Sequence, residues 1–285
     1  MQLYADIRHD ARVNRPGETR VLDQGSPDTL GDMGIEDEEL LAGGNASGQV
    51  TRIGDTVRKP WLPTTPRMIA YLAHLESAGL DVPHVHGHDD HDRVILDYIP
   101  GTLALDHAPL HPATVQRVGS LVRRIHDASA SFPLDRNWPV LLPTPRPDLV
   151  CHNDLATWNL VADGDRLVFI DWDGAGPSSR LWDLAYSAIA FGHLFPDADV
   201  TSSADRLRCF VDGYDADDDL RRALPEAMEH RAHAMWVHLK HAHATGHEPW
   251  ATMYLEGHGK HWAATSAFIA EHRDDWVRAI RRPTS

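Results

Sequence analysis

His152-Asn153-Asp154-Leu155-Ala156-Thr157-Trp158-Asn159 spells H-x-D-x-x-x-x-N. In a loop of that spacing a carboxylate orients a substrate hydroxyl and accepts its proton. The carboxamide five residues on reaches back to a metal ion. Asp154 and Asn159 are the residues in those places. The strand-like run Arg166-Leu167-Val168-Phe169-Ile170 then delivers Asp171, 17 positions after Asp154. A carboxylate ending a buried strand is held rigidly at a cleft, where it can share Mg²⁺ with nucleotide phosphates. Asp173 stands close enough to help, directly or through water. Each piece alone has a plainer reading, since an Asp and an Asn also tie down loops through backbone hydrogen bonds. The combination of loop, strand and Asp171 behind a β-rich region favours the chemistry.

The elements that must position these residues are legible in outline. Residues 1–35 are rich in Asp, Arg, Gly and Pro and read as turns or an arm. "QVTRI" and "TVRK" flank Gly54-Asp55, a two-residue hairpin signal. Pro66 to Gly79 reads as a helix, with Met68, Ile69, Leu72 and Leu75 at 3–4 spacing. "DVPHVHGHDDHDRVILDYIPG" predicts two strands around an acidic turn, then a Pro-Gly break. Pro112 to Ser129 carries an apolar helical face, and a proline-rich loop follows. Residues from Leu149 to Pro177 read as three short strands and loops, and from Ser178 onward the pattern is mostly helical.

With these residues in place, "VCHNDLATWNLV" and "LVFIDWDGAGPSSRLWDLA" resemble the aminoglycoside phosphotransferase family. That family shares the protein-kinase-like fold with choline, homoserine and fructosamine kinases. Supporting likeness runs through "GLDVPHVHGHDDHDRVILDYIPG" and "LVRRIHDAS", over roughly residues 40–220. The resemblance implies an α+β, two-lobed protein-kinase-like fold. Residues 1–97 would form a small β-rich nucleotide-binding lobe, and residues 98–285 a larger, mainly helical catalytic and acceptor-binding lobe. It implies transfer of a γ-phosphoryl group from ATP or GTP, with Mg²⁺, to a hydroxyl of a small molecule. Asp154 matches the family's catalytic aspartate, and Asn159 and Asp171 match its metal ligands. His152 is the structural loop histidine, and Asp183 resembles an aspartate that braces the catalytic loop.

On the nucleotide side, Gly43, Gly44, Asn45 and Ser47 sit where the family's phosphate-covering loop falls. Glycines there let backbone N–H groups approach phosphates. The segment is not G-x-G-x-x-G, and an ordinary turn is the alternative. The cation for the phosphates is Arg58 or Lys59. Strand alternation points only one of them inward and leaves the choice open. Leu96-Asp97-Tyr98-Ile99-Pro100 would be the hinge, with the backbone around Asp97 and Ile99 meeting the nucleobase. One departure stands out: kinase-like folds pair the strand cation with a helix Glu. The predicted helix carries only Glu76, near its end.

Composition narrows the partners. The chain has 285 residues, 27 Lys or Arg against 42 Asp or Glu, and a net charge of −15. That balance argues against nucleic acid. The two cysteines cannot build a disulfide scaffold. The first residues lack an apolar signal core, and no run is long enough for a membrane span. The expectation is a cytoplasmic protein with no membrane or nucleic-acid partner. The acceptor would bind among the later helices, which carry Trp236, Trp250, Tyr254, Trp262 and Trp276, with Glu226, Glu229, Glu248 and Glu256 as candidate contacts for a cationic acceptor. Two rival readings remain: a kinase of an amino alcohol, sugar or homoserine-type metabolite, and a nucleotide-binding pseudokinase. Histidine spacings such as His238 with His241 suit a metal, yet no H-E-x-x-H or cysteine pair accompanies them.

Overall fold

The computed structural model describes residues 38–41 and 49–282 of the chain. Gly54, at φ +58°, turns β2 (Val50–Ile53) into β3 (Thr56–Pro60), as the hairpin signal requires. With β1 (Glu39–Leu41), β4 (Val85–His88) and β5 (Arg93–Asp97) they form an antiparallel sheet in the order β1-β2-β3-β5-β4. In the β3–β5 register Lys59 faces Val94 and Arg58 faces Ile95. Adjacent residues therefore leave opposite faces of the sheet. Helix α1 (Thr65–Ser77) starts with Pro66 in its first turn and buries Met68, Tyr71, Leu72 and Leu75.

The remainder is mainly helical. Helix α2 (Pro112–Ser129) buries Val115, Val118, Val122 and Ile125 on one face. The short strands β6 (Thr102–Leu103), β7 (Leu149–Cys151), β8 (Leu160–Asp163), β9 (Arg166–Phe169) and β10 (Gly176–Ser178) form two small sheets, β6-β8-β9 and β10-β7. Helices α3 (Arg180–Gly192), α4 (Val200–Gly213) and the 28-residue α5 (Asp218–Thr245) follow. After them come α6 (Trp250–Met253), α7 (Gly259–Glu271) and α8 (Arg273–Ile280). A β-rich N-terminal region and a mostly helical C-terminal region thus stand as expected.

Helices α2 and α4 approach closely enough to matter for the site. A Cβ on Gly119 would stand 2.1 Å from the Phe210 carbonyl, and one on Gly213 would stand 1.9 Å from that of Gln116. Only glycine allows that contact. It brings His126 of α2 against Tyr214 at the end of α4, with Nδ1 and the hydroxyl 2.8 Å apart.

Beyond α3, Phe195 lies between the rings of His193 and His261, with centroids 5.2 and 5.1 Å away. Burial pushes both imidazoles down to about 4. An unfolded chain protonates them near 6.5, so between roughly pH 6.5 and 4 it binds more protons than the folded one. Stability therefore falls as pH falls through that window. We expect the melting temperature to drop by roughly 5–10 °C across it for a chain of this size. Replacing both residues with Gln should flatten that slope in thermal melts. An unchanged slope would count against the two rings.

Candidate active site

Strand β7 ends in Cys151 and hands the chain to His152, which is fully buried. Its Nε2 donates to the Ile170 carbonyl at 3.1 Å, and its Nδ1 accepts from the Asp154 N–H at 3.3 Å. The imidazole thus ties the loop holding Asp154 to the strand end before Asp171. Asn153 adopts φ +67°, a conformation that Asn tolerates better than most residues. Its N–H donates to Asp183 Oδ1 at 2.8 Å, and its side-chain Nδ2 donates to the carbonyls of Gly174 (3.1 Å) and Gly176 (3.3 Å). Asp183, 1 % exposed, takes His126 Nε2 on its other oxygen at 2.9 Å. A buried carboxylate with donors on both oxygens is a rigid brace.

Asn159 Nδ2 donates to Asp154 Oδ2 at 2.7 Å and to the Asp154 carbonyl at 3.0 Å. The Trp158 indole N–H donates to the same carboxylate at 3.4 Å. Burial raises the Asp154 carboxyl above its ordinary range, while hydrogen bonds from Tyr186 and Asn159 work to keep it ionised. Asp171 leaves β9 in a left-handed conformation, φ +61°. That is uncommon for a residue with a side chain, and it turns the carboxylate back toward the sheet.

Lys59 answers it from β3. Its ammonium lies 2.6 Å from Asp171 Oδ1 and 2.5 Å from Asp173 Oδ2. Burial alone would lower the lysine pKa, but the two carboxylates overcome it and raise the group above its usual value. Burial likewise opposes ionisation of Asp171, and Lys59 overrides it, holding that carboxyl below its usual range. Arg58 does not join this group. It leaves the other face of β3, bonds Thr56 Oγ1 at 2.6 Å and faces Asp89 at 3.8 Å. Helix α1 brings no Glu to Lys59. Glu76 meets His84 at 3.0 Å, and Asp171 and Asp173 neutralise Lys59.

One cavity joins these parts. Val57, Leu96, Ile99 and Val161 give it apolar walls, and Lys59, Asn159, Asp171 and Asp173 give it polar ones. An apolar slot continuous with charged groups suits a flat base attached to phosphates. Asp97 lines the cavity at the hinge, with its carboxylate held by His86 Nε2 at 2.7 Å and the His84 N–H at 3.2 Å. The N–H groups of Asp97 and Tyr98 already donate to the carbonyls of His84 and Asp55. Gly43, Gly44, Asn45 and Ser47 lie outside the described residues.

Of the acidic residues suggested for an acceptor, Glu229 pairs with Arg273, Glu248 accepts from the Thr252 N–H, and Glu226 is exposed beside His230. Trp276 and Trp262 are buried, and Trp262 stacks on Tyr186 with centroids 5.8 Å apart. Among the described residues, His126, Cys151 and Asp183 are the group with metal-like spacing. All three are buried, and two of them are committed to the brace described above. No described helix is long and apolar enough to cross a membrane.

The description of the phosphotransferase enzyme family matches residues 133–220, which include the Asp154 loop, Asp171 and Asp183. The Trifolitoxin immunity protein of Rhizobium leguminosarum bv. trifolii is 30 % identical over 197 residues, covering 63 % of this chain and 75 % of that protein. The chain belongs to the phosphotransferase enzyme family. Among solved structures, a choline/ethanolamine kinase family protein from Mesorhizobium loti superimposes with a TM-score of 0.61 at 18 % identity, over 87 % of this chain and 93 % of that one. An amicoumacin kinase in complex with AMP-PNP, Ca²⁺ and Ami gives 0.59 at 15 % identity, over 86 % and 89 %. These likenesses show that this member of the phosphotransferase enzyme family has the protein-kinase-like fold. Family membership makes it a small-molecule phosphotransferase.

Three residues that hold the site carry no motif of their own in the sequence. Tyr186, which hydrogen-bonds Asp154, is an ordinary helix position, and His126 is part of a helix end. Asn153 stood in plain view between His152 and Asp154. Its signal was chemical, because Asn is one of the few side chains suited to a left-handed turn.

Proposed function

We propose that the chain transfers the γ-phosphoryl group of ATP or GTP to a hydroxyl of a small molecule, with Mg²⁺. The observation that carries this reading is the meeting of Lys59, Asn159 and Asp171 on one cavity, with Asp154 hydrogen-bonded to Asn159 at its edge. The oxygen donor set suits a hard divalent cation. Asn159 spends its N–H₂ group on Asp154, which leaves its amide oxygen as a ligand, and Asp171 offers a carboxylate. Bound Mg²⁺ would neutralise charge on the phosphates.

The chain's own residues do the rest. Asp154 orients the acceptor hydroxyl and accepts its proton as the oxygen attacks. Lys59 moves from its carboxylates toward phosphate oxygens, and the hinge around Asp97 and Ile99 meets the nucleobase. His152 and Asp183 hold the loop, and Asp173 supports Lys59. Positioning and electrostatics supply most of the rate, as in phosphoryl transfer generally. Residues 1–97 would form the nucleotide-binding lobe and residues 98–285 the catalytic and acceptor-binding lobe, which lends Ile99, Asn159 and Asp171 to the nucleotide cavity, and a cytoplasmic location fits the reaction.

The acceptor is a small hydroxylated molecule. Two classes deserve testing because similar proteins bear names from both: an immunity protein and an amicoumacin kinase on one side, a choline/ethanolamine kinase family protein on the other. Purified protein should release ADP or GDP with Mg²⁺ in at least one pool of aminoglycosides, other antibiotics, amino alcohols or sugars. Nucleotide that binds but yields no product in any pool would favour a pseudokinase.

A further inference from the structure

Two arginines of α5 are buried, and their surroundings differ. Arg221 is satisfied on all sides: Nε donates to the Ala216 carbonyl, Nη1 to that of Ile280 and Nη2 to Asp212, each within 2.9 Å. That is how a structural arginine sits. Arg231, 5 % exposed, has no ion-pair partner among the described residues, and its Nη1 has no hydrogen-bond partner there. A buried cation without a carboxylate is costly. Arg231 has three other contacts. Its guanidinium lies 4.3 Å from the Tyr186 ring centroid and 5.6 Å from that of Trp182, and Nη2 donates to the Asn153 carbonyl at 3.2 Å.

Two of those contacts lead to Asp154. The Asn153 carbonyl belongs to the peptide group that carries the Asp154 N–H. With Arg231 on the oxygen and His152 Nδ1 on the N–H, both polar atoms of that peptide are fixed. The residue before it is fixed as well, by Asp183 and the Gly174 and Gly176 carbonyls. Tyr186, beneath the guanidinium, hydrogen-bonds the Asp154 carboxylate. Asn159 holds that carboxylate from the side of the nucleotide cavity, while Arg231 on α5 touches the Asn153 carbonyl and the Tyr186 ring beside it.

We propose that Arg231 is a positioning residue for Asp154, fixing it from the acceptor-side helix through the Asn153 carbonyl and the Tyr186 ring. The inference rests on the catalytic reading of Asp154. It makes α5 part of the device that aims the base. A lysine in its place keeps charge, cation–π contact and one donor, whereas methionine keeps only bulk.

The test measures ATP turnover with kanamycin, with ethanolamine and with water as acceptor, in Arg231→Met, Arg231→Lys, Tyr186→Phe and Asp154→Asn proteins and in the Arg231→Met, Tyr186→Phe double variant. For a mispositioned base we expect Arg231→Met to lower kcat by roughly 10–100-fold, with ATP KM and melting temperature near wild type. Arg231→Lys should recover most of that loss. Arg231→Met and Tyr186→Phe should be non-additive, because both act on one carboxylate. Wild-type kcat in Arg231→Met beside an inactive Asp154→Asn would overturn the inference, as would a loss that follows ATP affinity or melting temperature. An active Asp154→Asn protein would overturn the catalytic reading instead. If Arg231→Met does not fold, Arg231→Lys and Arg231→Gln decide. Turnover falling from wild type to Lys to Gln at matched stability supports the proposal, and equal turnover refutes it.

Discussion

Asp154→Asn protein should fold normally and lose about 10²–10⁴-fold in turnover, the usual contribution of a positioned proton acceptor. The substitution keeps the size of the side chain and an oxygen for Asn159 to bond. It removes a charge whose burial is unfavourable, so the melting temperature should hold or rise. Nucleotide KM should change little, because Lys59 and the apolar walls of the cavity are untouched. Circular dichroism, thermal melts and coupled nucleotide-release assays together check this. Near-normal turnover in a folded variant would remove Asp154 from the proposed role.

Lys59→Met should show a different pattern. Lys59 stands between Asp171 and Asp173, and its loss leaves two neighbouring carboxylates without a cation. Breaking a buried ion pair costs several kcal/mol. Asp171 is about one-third exposed, so solvent screening reduces the expected loss to roughly 1–3 kcal/mol. The lower melting temperature should appear in EDTA and largely vanish on adding Mg²⁺, which can replace the missing positive charge. Turnover should fall about 10²–10³-fold, the scale of losing one preorganised electrostatic contact to the phosphates. A variant equally stable with and without Mg²⁺, and fully active, would show that Lys59 has no part in binding the phosphates.

Local sequence carried much of the fold because its signals are local: Gly54 at the hairpin, the apolar face of α2, and the strand that ends at Asp171. The H-x-D-x-x-x-x-N spacing marked the loop for the same reason. Choosing between Arg58 and Lys59 needed the pairing of β3 with β5, a contact between distant segments. The carboxylates that pair with Lys59 could not be found from helix α1 alone, since they arrive from beyond β9. Arg231, 78 residues from Asn153, looked like any charged residue on a long helix. Its burial appears only when α3 and α5 pack together. Spacing along one chain does not report which polar residue will lie under a neighbouring helix.

The bond that is made distinguishes γ-phosphoryl transfer from every other nucleotide reaction. Phosphorus NMR of reactions with γ-labelled ATP or GTP, Mg²⁺ and the acceptor pools should show a new phosphate monoester on an acceptor hydroxyl. The label should reside in that ester, ADP or GDP should be the coproduct, and neither should form with Asp154→Asn protein. Release of pyrophosphate with a nucleotidyl ester, or ester formation undiminished in Asp154→Asn, would contradict γ-phosphoryl transfer through this site.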